Sequence, residues 1–413
     1  MKLRSKVSLL LLLFLIGWVI ILQFQTYTYP DSDNINKRLN YLERVIYQPL
    51  ESNSEVTLLG YENPEFMLFT YAYSVYAFTN VAIKDSTYKK RVVPLIKESI
   101  LKVLDNKIAY PYNIDSTLIQ TDSIPDYSVL YLGHLNLMIG CYRLLSKDST
   151  FNDLNNKISE SLFHRYNESQ FLNLESYPLS IWIPDNSVAI ASLKLHSTNT
   201  NSNYATICTK WVNYIEEHYL DKDTGVLYST IDADNGKATE EARGSMLGWS
   251  MMFIYQFDSE FAINLYKNYK AHFSENLLIF RLFKERYNNH QTNMGDIDSG
   301  PIFLGYSIPA NEFALAGSIL AGDYKTARKM ERLINFGTTK SELNNELKYN
   351  VRFTDMNISP MAEALVLNSL TIRKWTEEKI IIHEKIFLVT QYTIIGRIKS
   401  DGCFSNCTGY KKR

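Results

Sequence analysis

The 413-residue sequence predicts an all-α protein: an (α/α)6 toroid of helical hairpins, with an N-terminal transmembrane helix and a short β-like C-terminal tail. Apolar residues recur at helical spacing across nearly all of residues 31–375, in roughly twelve segments that pair into about six hairpins. The segments alternate between an inner kind, rich in small residues, and an outer amphipathic kind. A loop with prolines, glycines and carboxylates precedes most inner segments, and this repetition of one supersecondary unit is the mark of a toroid. Finally, Pro184, Asn186, Ala189 and Ala191 are matched in identity and spacing by Pro309, Asn311, Ala314 and Ala316. Proline suits the first turn of a helix, and alanines let neighbouring inner helices approach closely.

The first element is the membrane segment. Lys2, Arg4 and Lys6 form a basic flank over residues 1–6, and the apolar run 7–24 is broken only by Ser8, Gly17 and Gln23. A run of this length crosses a bilayer, and the basic residues before it favour a cytoplasmic N-terminus. No small-x-small cleavage site follows it. The reading adopted is an uncleaved single-pass anchor with everything after Asp31 extracytoplasmic; secretion after signal cleavage is the alternative.

The toroid domain, 31–375, begins with a helix over 35–47. A helix over 64–83 follows, dense in aromatics from Phe66 to Phe78 and buried on several sides, and then one over 92–104. A loop with Pro111 and Pro125 leads to a helix over 127–145, which pairs with 151–166. The loop 175–184 opens the helix 185–196, followed by 204–219. The loop 221–241 carries an expected short hairpin around 226–231 and opens the helix 244–257, with 260–273 behind it. The last two units are 309–321 with 324–335, and a final helix over 360–370.

The tail, 376–413, is rich in Ile, Val, Thr and Tyr over 379–398 and alternates as strands do, so a small antiparallel hairpin is expected there. Cys403 and Cys407 are either bridged or free thiols in a frayed end.

Composition excludes several classes. A formal net charge of -1 with no basic block gives no reason to expect nucleic acid. Four cysteines do not make a disulfide scaffold, and neither cysteines nor histidines fall at zinc spacing. The turns from Asp221 to Gly225 and from Asp232 to Gly236 lack the glutamate that a calcium loop requires at its twelfth position. No metal or cofactor is expected. The expected partners are the membrane, through the N-terminal helix, and a small-molecule or glycan substrate.

Four segments carry a family resemblance. They are Tyr131 to Asn136 with Gly133-His134, Ile181 to Asn186 with Trp182-Ile-Pro184-Asp185, Arg243 to Trp249, and Gly295 to Pro301 with Asp296 and Asp298. In order and spacing the chain resembles the linalool dehydratase/isomerase-like family of (α/α)6-barrel proteins. The resemblance implies the toroid. It also implies a site in which a histidine, a tyrosine and two cysteines face an apolar terpene pocket. His134 matches the histidine, whereas the 175–186 loop holds no cysteine and has Asp185 before Asn186.

In a toroid, the loops before the inner helices gather at one end, so Asp126, Tyr127, His134, Glu175, Asp185, Arg243, Asp296, Asp298 and Glu363 converge although distant in sequence. Acid–base work needs one protonated and one ionised group near neutral pH, which two carboxylates in unlike surroundings provide. The expected catalytic residues are Asp298, Asp296, Asp185, His134 and Tyr127. The expected substrate-binding residues are Tyr131, Glu175, Tyr177, Trp182, Asn186 and Arg243, with Trp182 and Tyr177 suited to stack on a sugar ring. Each has a plainer reading. Asp185 can cap its helix, Asp296 and Asp298 can shape a turn, His134 can be a satisfied core histidine, and Arg243 can be a structural ion-pair partner.

Three functions remain in view. The leading one is a membrane-anchored extracytoplasmic acid–base enzyme on a carbohydrate or polyol, acting by hydrolysis or elimination. The second is dehydration or isomerisation of a small alcohol using His134 with Tyr127 or Tyr131. The third is a non-catalytic glycan- or partner-binding module.

Overall fold

The computed structural model describes residues 2–121, 124–126, 128–287, 295–354 and 356–376. Tyr127, the expected tail hairpin and Cys403 and Cys407 lie outside the described residues.

The helices, in chain order, are α1 (Lys2–Phe24), α2 (Ser32–Tyr47), α3 (Glu55–Glu62), α4 (Pro64–Lys84), α5 (Lys89–Val103), α6 (Asn106–Ala109), α7 (Ser116–Thr121) and α8 (Val129–Leu145). They continue with α9 (Asn152–Glu168), α10 (Ile183–Thr200), α11 (Thr206–His218), α12 (Gly244–Phe257), α13 (Ser259–Phe273), α14 (Ile308–Leu320), α15 (Tyr324–Gly337) and α16 (Pro360–Thr371). Helices α4, α8, α10, α12, α14 and α16 form an inner ring in which each packs on the next and α16 returns to α4. Outside it, α5 packs on α4, α9 on α8, α11 on α10, α13 on α12, α15 on α14 and α2 on α16. The sixth hairpin is therefore split between the first outer and the last inner helix, and the ends of the domain close the ring. Arg38 on α2 and Glu363 on α16, both buried, pair across that closure at 3.1 Å.

Residue type explains which helices go inside. Helix α4 buries every residue from Met67 to Ala82, and α8 every residue from Val129 to Tyr142. The outer α2 buries one stripe, including Ile35, Leu39, Leu42 and Ile46. Helix α4 is long and apolar enough to cross a membrane but is enclosed by the ring, whereas Val7–Phe24 of α1 passes the same test with its side chains exposed.

The matched Pro-Asn-Ala-Ala segments open α10 and α14, and their identities have parallel roles. Asn186 Oδ1 accepts from Leu174 N–H, while its Nδ2 donates to the carbonyls of Leu174 and Trp182. Asn311 does the same with Phe283 N–H and the carbonyls of Phe283 and Ser307. Each asparagine pins the incoming loop to the first turn of an inner helix. The alanines meet glycines of the preceding inner helix. A Cβ on Gly133 would stand 3.1 Å from Ala189 Cβ, and one on Gly248 only 2.4 Å from Phe313 Cβ and 3.4 Å from Ala314 N. At Gly248 that contact leaves no room for a side chain unless Phe313 shifts, and at Gly133 the Ala189 backbone would have to give by a few tenths of an ångström.

Short strands decorate one end. β1 (Ser180–Trp182), β2 (Thr230–Asp232) and β3 (Ala238–Glu240) form an antiparallel sheet in that order. The hairpin expected around 226–231 is thus shifted: its reversal lies at Asn235-Gly236, where Gly236 has φ 69, and Val226 is core. Two hairpins were not anticipated: β4 (Ser274–Leu277) with β5 (Phe280–Phe283), and β6 (Thr338–Leu343) with β7 (Glu346–Val351). Each follows an outer helix without a break, so the helical pattern masked it.

Candidate active site

Four inner helices, α4, α10, α14 and α16, begin with a proline in the first turn. The N-terminal turns of all six inner helices surround one cavity of about 250 Å³. Its walls are mostly apolar, with Phe66, Phe69, Tyr73, Met246, Trp249 and Phe313 among them, and Tyr177 and Trp182 contribute from the α10 loop. Into this apolar space project four carboxyl groups: Glu65, Asp185, Asp298 and Glu312.

Burial penalises a charged carboxylate, so each of the four is pushed up from its ordinary range. Glu65 rises to about 8 through burial and then the nearby Asp185 and Asp298. Asp185 rises to about 7, again chiefly by burial, with the Ser176 hydroxyl bond opposing and Asp298 adding. Glu312 rises to about 8 by burial and the neighbouring Glu363. Asp298 is also raised by burial, but the Arg243 guanidinium, 3.5 Å away, pulls it back. Among the described residues, Glu65, Asp185 and Glu312 form no ion pair, so Asp298 is the wall carboxyl with a cation beside it.

Arg243 is the hub behind Asp298. Its Nε donates to Glu285 at 3.0 Å and its Nη2 to Asp296 at 2.8 Å. The buried Glu285 carboxylate also accepts from Ser245 Oγ at 2.7 Å and from Ser307 Oγ at 2.6 Å. This fastens the starts of α12 and α14 to the loop that carries Asp298. Asp296 Oδ1 accepts from the N–H groups of Asp298 and Ser299 as well. Burial works against its charge, but the Ser299 amide and Arg243 hold its carboxyl below the ordinary value. Asp296 therefore shapes the turn that aims Asp298.

The structure brings together Asp185, Asp298, Tyr177 and Trp182 as cavity walls. Others expected at the site stand back from it. His134 lies behind Phe69, Tyr73 and Trp249, with ring centroids 5.5, 6.4 and 5.7 Å away. Its Nδ1 meets Tyr76 Oη at 2.8 Å, and burial lowers it to about 3, so the ring is neutral. Tyr131 Oη donates to Val103 O at 2.8 Å within the core. Glu175 accepts from Leu179 N–H at 3.1 Å, and Asn186 is the loop clamp described above. Trp182 is the N-cap of α10, with no side-chain capping bond, and Asp185 lies in the first turn. Glu363 belongs to the ring closure with Arg38.

Sequence reasoning missed Glu65, Glu312, Glu285 and Trp249. A signal existed for two of them. Pro64-Glu65 repeats the Pro184-Asp185 helix start, and Pro309 with Glu312 repeats the spacing of Pro360 with Glu363.

No known family model matches the sequence. Several solved structures share the fold. One is an inactive variant of the α-1,6-mannanase GH76A of Salegentibacter sp. HEL1_6 in complex with α-1,6-mannotetrose. It has TM-score 0.54 and 11% identity, with 83% of this chain and 98% of that chain covered. Another is the unsaturated glucuronyl hydrolase of Bacillus sp. GL1, described as responsible for degradation of glycosaminoglycan. It has TM-score 0.53 and 10% identity, covering 84% of this chain and 98% of that chain. At these identities the likeness establishes an all-α toroid of helical hairpins.

Proposed function

We propose that the chain is a membrane-anchored extracytoplasmic enzyme that cleaves a glycosidic bond by general acid–base catalysis, with an oligosaccharide as substrate. One observation carries this reading: four carboxyls of unequal acidity share a single aromatic-walled cavity. Asp185, protonated below about 7, donates to the glycosidic oxygen as the C–O bond breaks. Asp298, ionised beside Arg243, takes the proton of the attacking water or acts as nucleophile. Glu65 and Glu312 are neutral hydrogen-bond donors to substrate hydroxyls. Trp182 and Tyr177 supply flat apolar faces for a sugar ring. The fold's kinship with an α-1,6-mannanase and a glucuronyl hydrolase makes α-linked mannosides and unsaturated uronyl oligosaccharides the first panel to test.

The test is release of reducing ends from that panel by the full chain, its Asp185→Asn form and its Asp298→Asn form, across pH 5 to 9. Turnover is expected to fall as pH rises through about 7, where Asp185 loses its proton. Each variant is expected to lose two or more orders of magnitude, about the contribution of one acid–base group. A folded Asp298→Asn protein with full turnover sinks the assignment.

The predominance of apolar wall favours a second reading, dehydration or isomerisation of a small alcohol, as in the linalool dehydratase/isomerase-like family. Here a neutral wall carboxyl protonates the hydroxyl, the C–O bond breaks and water leaves, the rings of Phe69, Tyr73 and Trp249 face the electron-poor carbon, and a wall carboxylate takes a proton from the adjacent carbon to form the alkene. This chain would do so with carboxyls in place of thiols, since its described cysteines, Cys141 on α8 and Cys208 on α11, are buried and neither is a cavity wall. Gas-chromatographic detection of an alkene from a terpene alcohol, with no glycoside cleaved, decides for it.

A further inference from the structure

Four turn tips have backbone and side chain at odds with an aqueous surface. Leu179, Leu278, Leu304 and Phe353 have φ of 62, 51, 52 and 64, and their side chains are 64%, 61%, 72% and 96% exposed. The left-handed region normally takes glycine or asparagine, and a bulky residue there is strained. An exposed apolar side chain recovers nothing from the core in return. Leu179 and Leu304 occupy equivalent places, each four residues before an inner helix start, in the two segments that repeat Pro-Asn-Ala-Ala. The turn at Leu179 is held by the Glu175 carboxylate, which accepts its N–H at 3.1 Å.

All four tips lie in connections from an outer helix to the next inner helix: 179 between α9 and α10, 278 and 304 between α13 and α14, and 353 between α15 and α16. That is the end of the toroid where the cavity opens. Ile297 and Ile308, 53% and 66% exposed, extend the same apolar rim beside the wall residues Asp298 and Pro309.

The anchor helix meets the body beside one of these tips. Gln23 Nε2 in the last turn of α1 donates to Leu278 O at 2.9 Å. Arg332 Nη2 donates to Leu22 O at 2.6 Å and to Gln25 Oε1 at 3.0 Å. Further along the chain, Tyr27 N–H donates to Tyr324 O at the start of α15, at the end of that helix away from the cavity. No free tether therefore separates α1 from the toroid. Where α1 leaves a bilayer, the flank carrying Leu278 is at the lipid surface.

From this geometry we infer that the apolar rim around the cavity mouth is a membrane-seating surface, with Leu179, Leu304 and Phe353 inserted into the interfacial layer of the bilayer that α1 crosses. The occupant of the rim is lipid, and the cavity of the proposed enzyme opens onto that surface. Bulky residues at strained turn tips then have a physical reason: burying their apolar side chains in the interface offsets the strain of the backbone. The inference rests on α1 being a membrane anchor, and the test separates the two.

The test uses the full chain with Cys403 and Cys407 changed to serine, carrying one of Leu179→Cys, Leu304→Cys, Phe353→Cys or, at the opposite end between α8 and α9, Ser149→Cys. Each variant is labelled with an environment-sensitive fluorophore and reconstituted into phosphatidylcholine vesicles with or without brominated acyl chains. Flotation after a carbonate wash reports the anchor independently. At the three rim positions about half the emission is expected to be lost to the brominated lipid, because interfacial side chains reach roughly 5–10 Å into the boundary. The label at 149 is expected to keep its emission. Rim labels as bright as the one at 149, on protein that floats, overturn the inference and leave the anchor standing. Protein that does not float overturns both. Label-to-label contact between copies, read with pyrene at 304, also overturns it, because the rim then covers a second copy. Should a labelled variant fail to fold, hydrogen exchange on the unlabelled chain replaces it: the segments holding 179 and 304 are expected to slow on vesicles, and unchanged exchange overturns the inference.

Discussion

Asp185 offers a test of the site that needs no substrate. The residue is 6% exposed, and its carboxyl is pushed from 3.8 to about 7, mainly because burial disfavours the charge. In the unfolded chain it ionises at its ordinary value. Below pH 3.8 both states hold the proton and folding is indifferent to it. Between 3.8 and about 7 only the folded state keeps the proton, so stability falls as pH rises and stays low above that window. At about 1.4 kcal/mol per pH unit the full loss approaches roughly 4 kcal/mol, and water entering the cavity reduces it to about 2–4 kcal/mol. Asparagine is nearly isosteric and retains an acceptor for the Ser176 hydroxyl, yet never titrates. Asp185→Asn is therefore expected to match or fall below the parent at pH 4 and to exceed it by that margin at pH 8, read from urea unfolding at each pH. Changing Asp298 to asparagine removes one charge that raises Asp185, and so moves the step to lower pH. Parallel stability curves for parent and Asp185→Asn across the window refute the claim that Asp185 sits uncompensated in an apolar cavity.

Two further outcomes follow from the buried ion pairs. Arg243→Met strands the Glu285 carboxylate, which is 1% exposed, and is expected to cost about 3–5 kcal/mol by chemical denaturation, the range for breaking a buried pair. Arg38→Met is expected to cost a similar amount, about 3–5 kcal/mol, because Glu363 is left without its cation at the ring closure. Adding Glu363→Leu to Arg38→Met is expected to recover most of that loss in a double-mutant cycle, and no recovery would show that Glu363 is held chiefly by Tyr349 N–H instead.

The toroid was legible because its determinants are local and repeated. Period and residue size separate inner from outer helices, and the Pro-Asn-Ala-Ala match marks one structural device used twice. Asn186 and Asn311 each tie a loop to a helix start with the same three bonds, and Ala189 and Ala314 each face a glycine on the neighbouring helix. The two strand hairpins after α13 and α15 were not legible, because each strand begins at the helix C-cap and carries polar residues that fit an outer helix face equally well.

The site was half legible, and the reason lies in what decides burial. Asp185 and Asp298 drew attention because proline and glycine bracket them, which is a local signal. Glu65 was hidden at the start of an aromatic run that is mostly core and turns only Phe66, Phe69 and Tyr73 to the cavity beside it. Glu312 differs from a solvent-facing glutamate only through which helices close around it. His134 shows the converse. Its Gly-His-Leu-Asn setting is local, but Phe69, Tyr73, Tyr76, Trp249 and Phe253, from two other helices, set it behind the cavity wall. In a ring of six helices each inner side chain faces residues from elements far away in sequence. A carboxyl's acidity is therefore a property of the closed ring, and the Arg38–Glu363 contact that closes it lies one carboxylate away from the cavity: Glu363 is the charge that, after burial, raises Glu312.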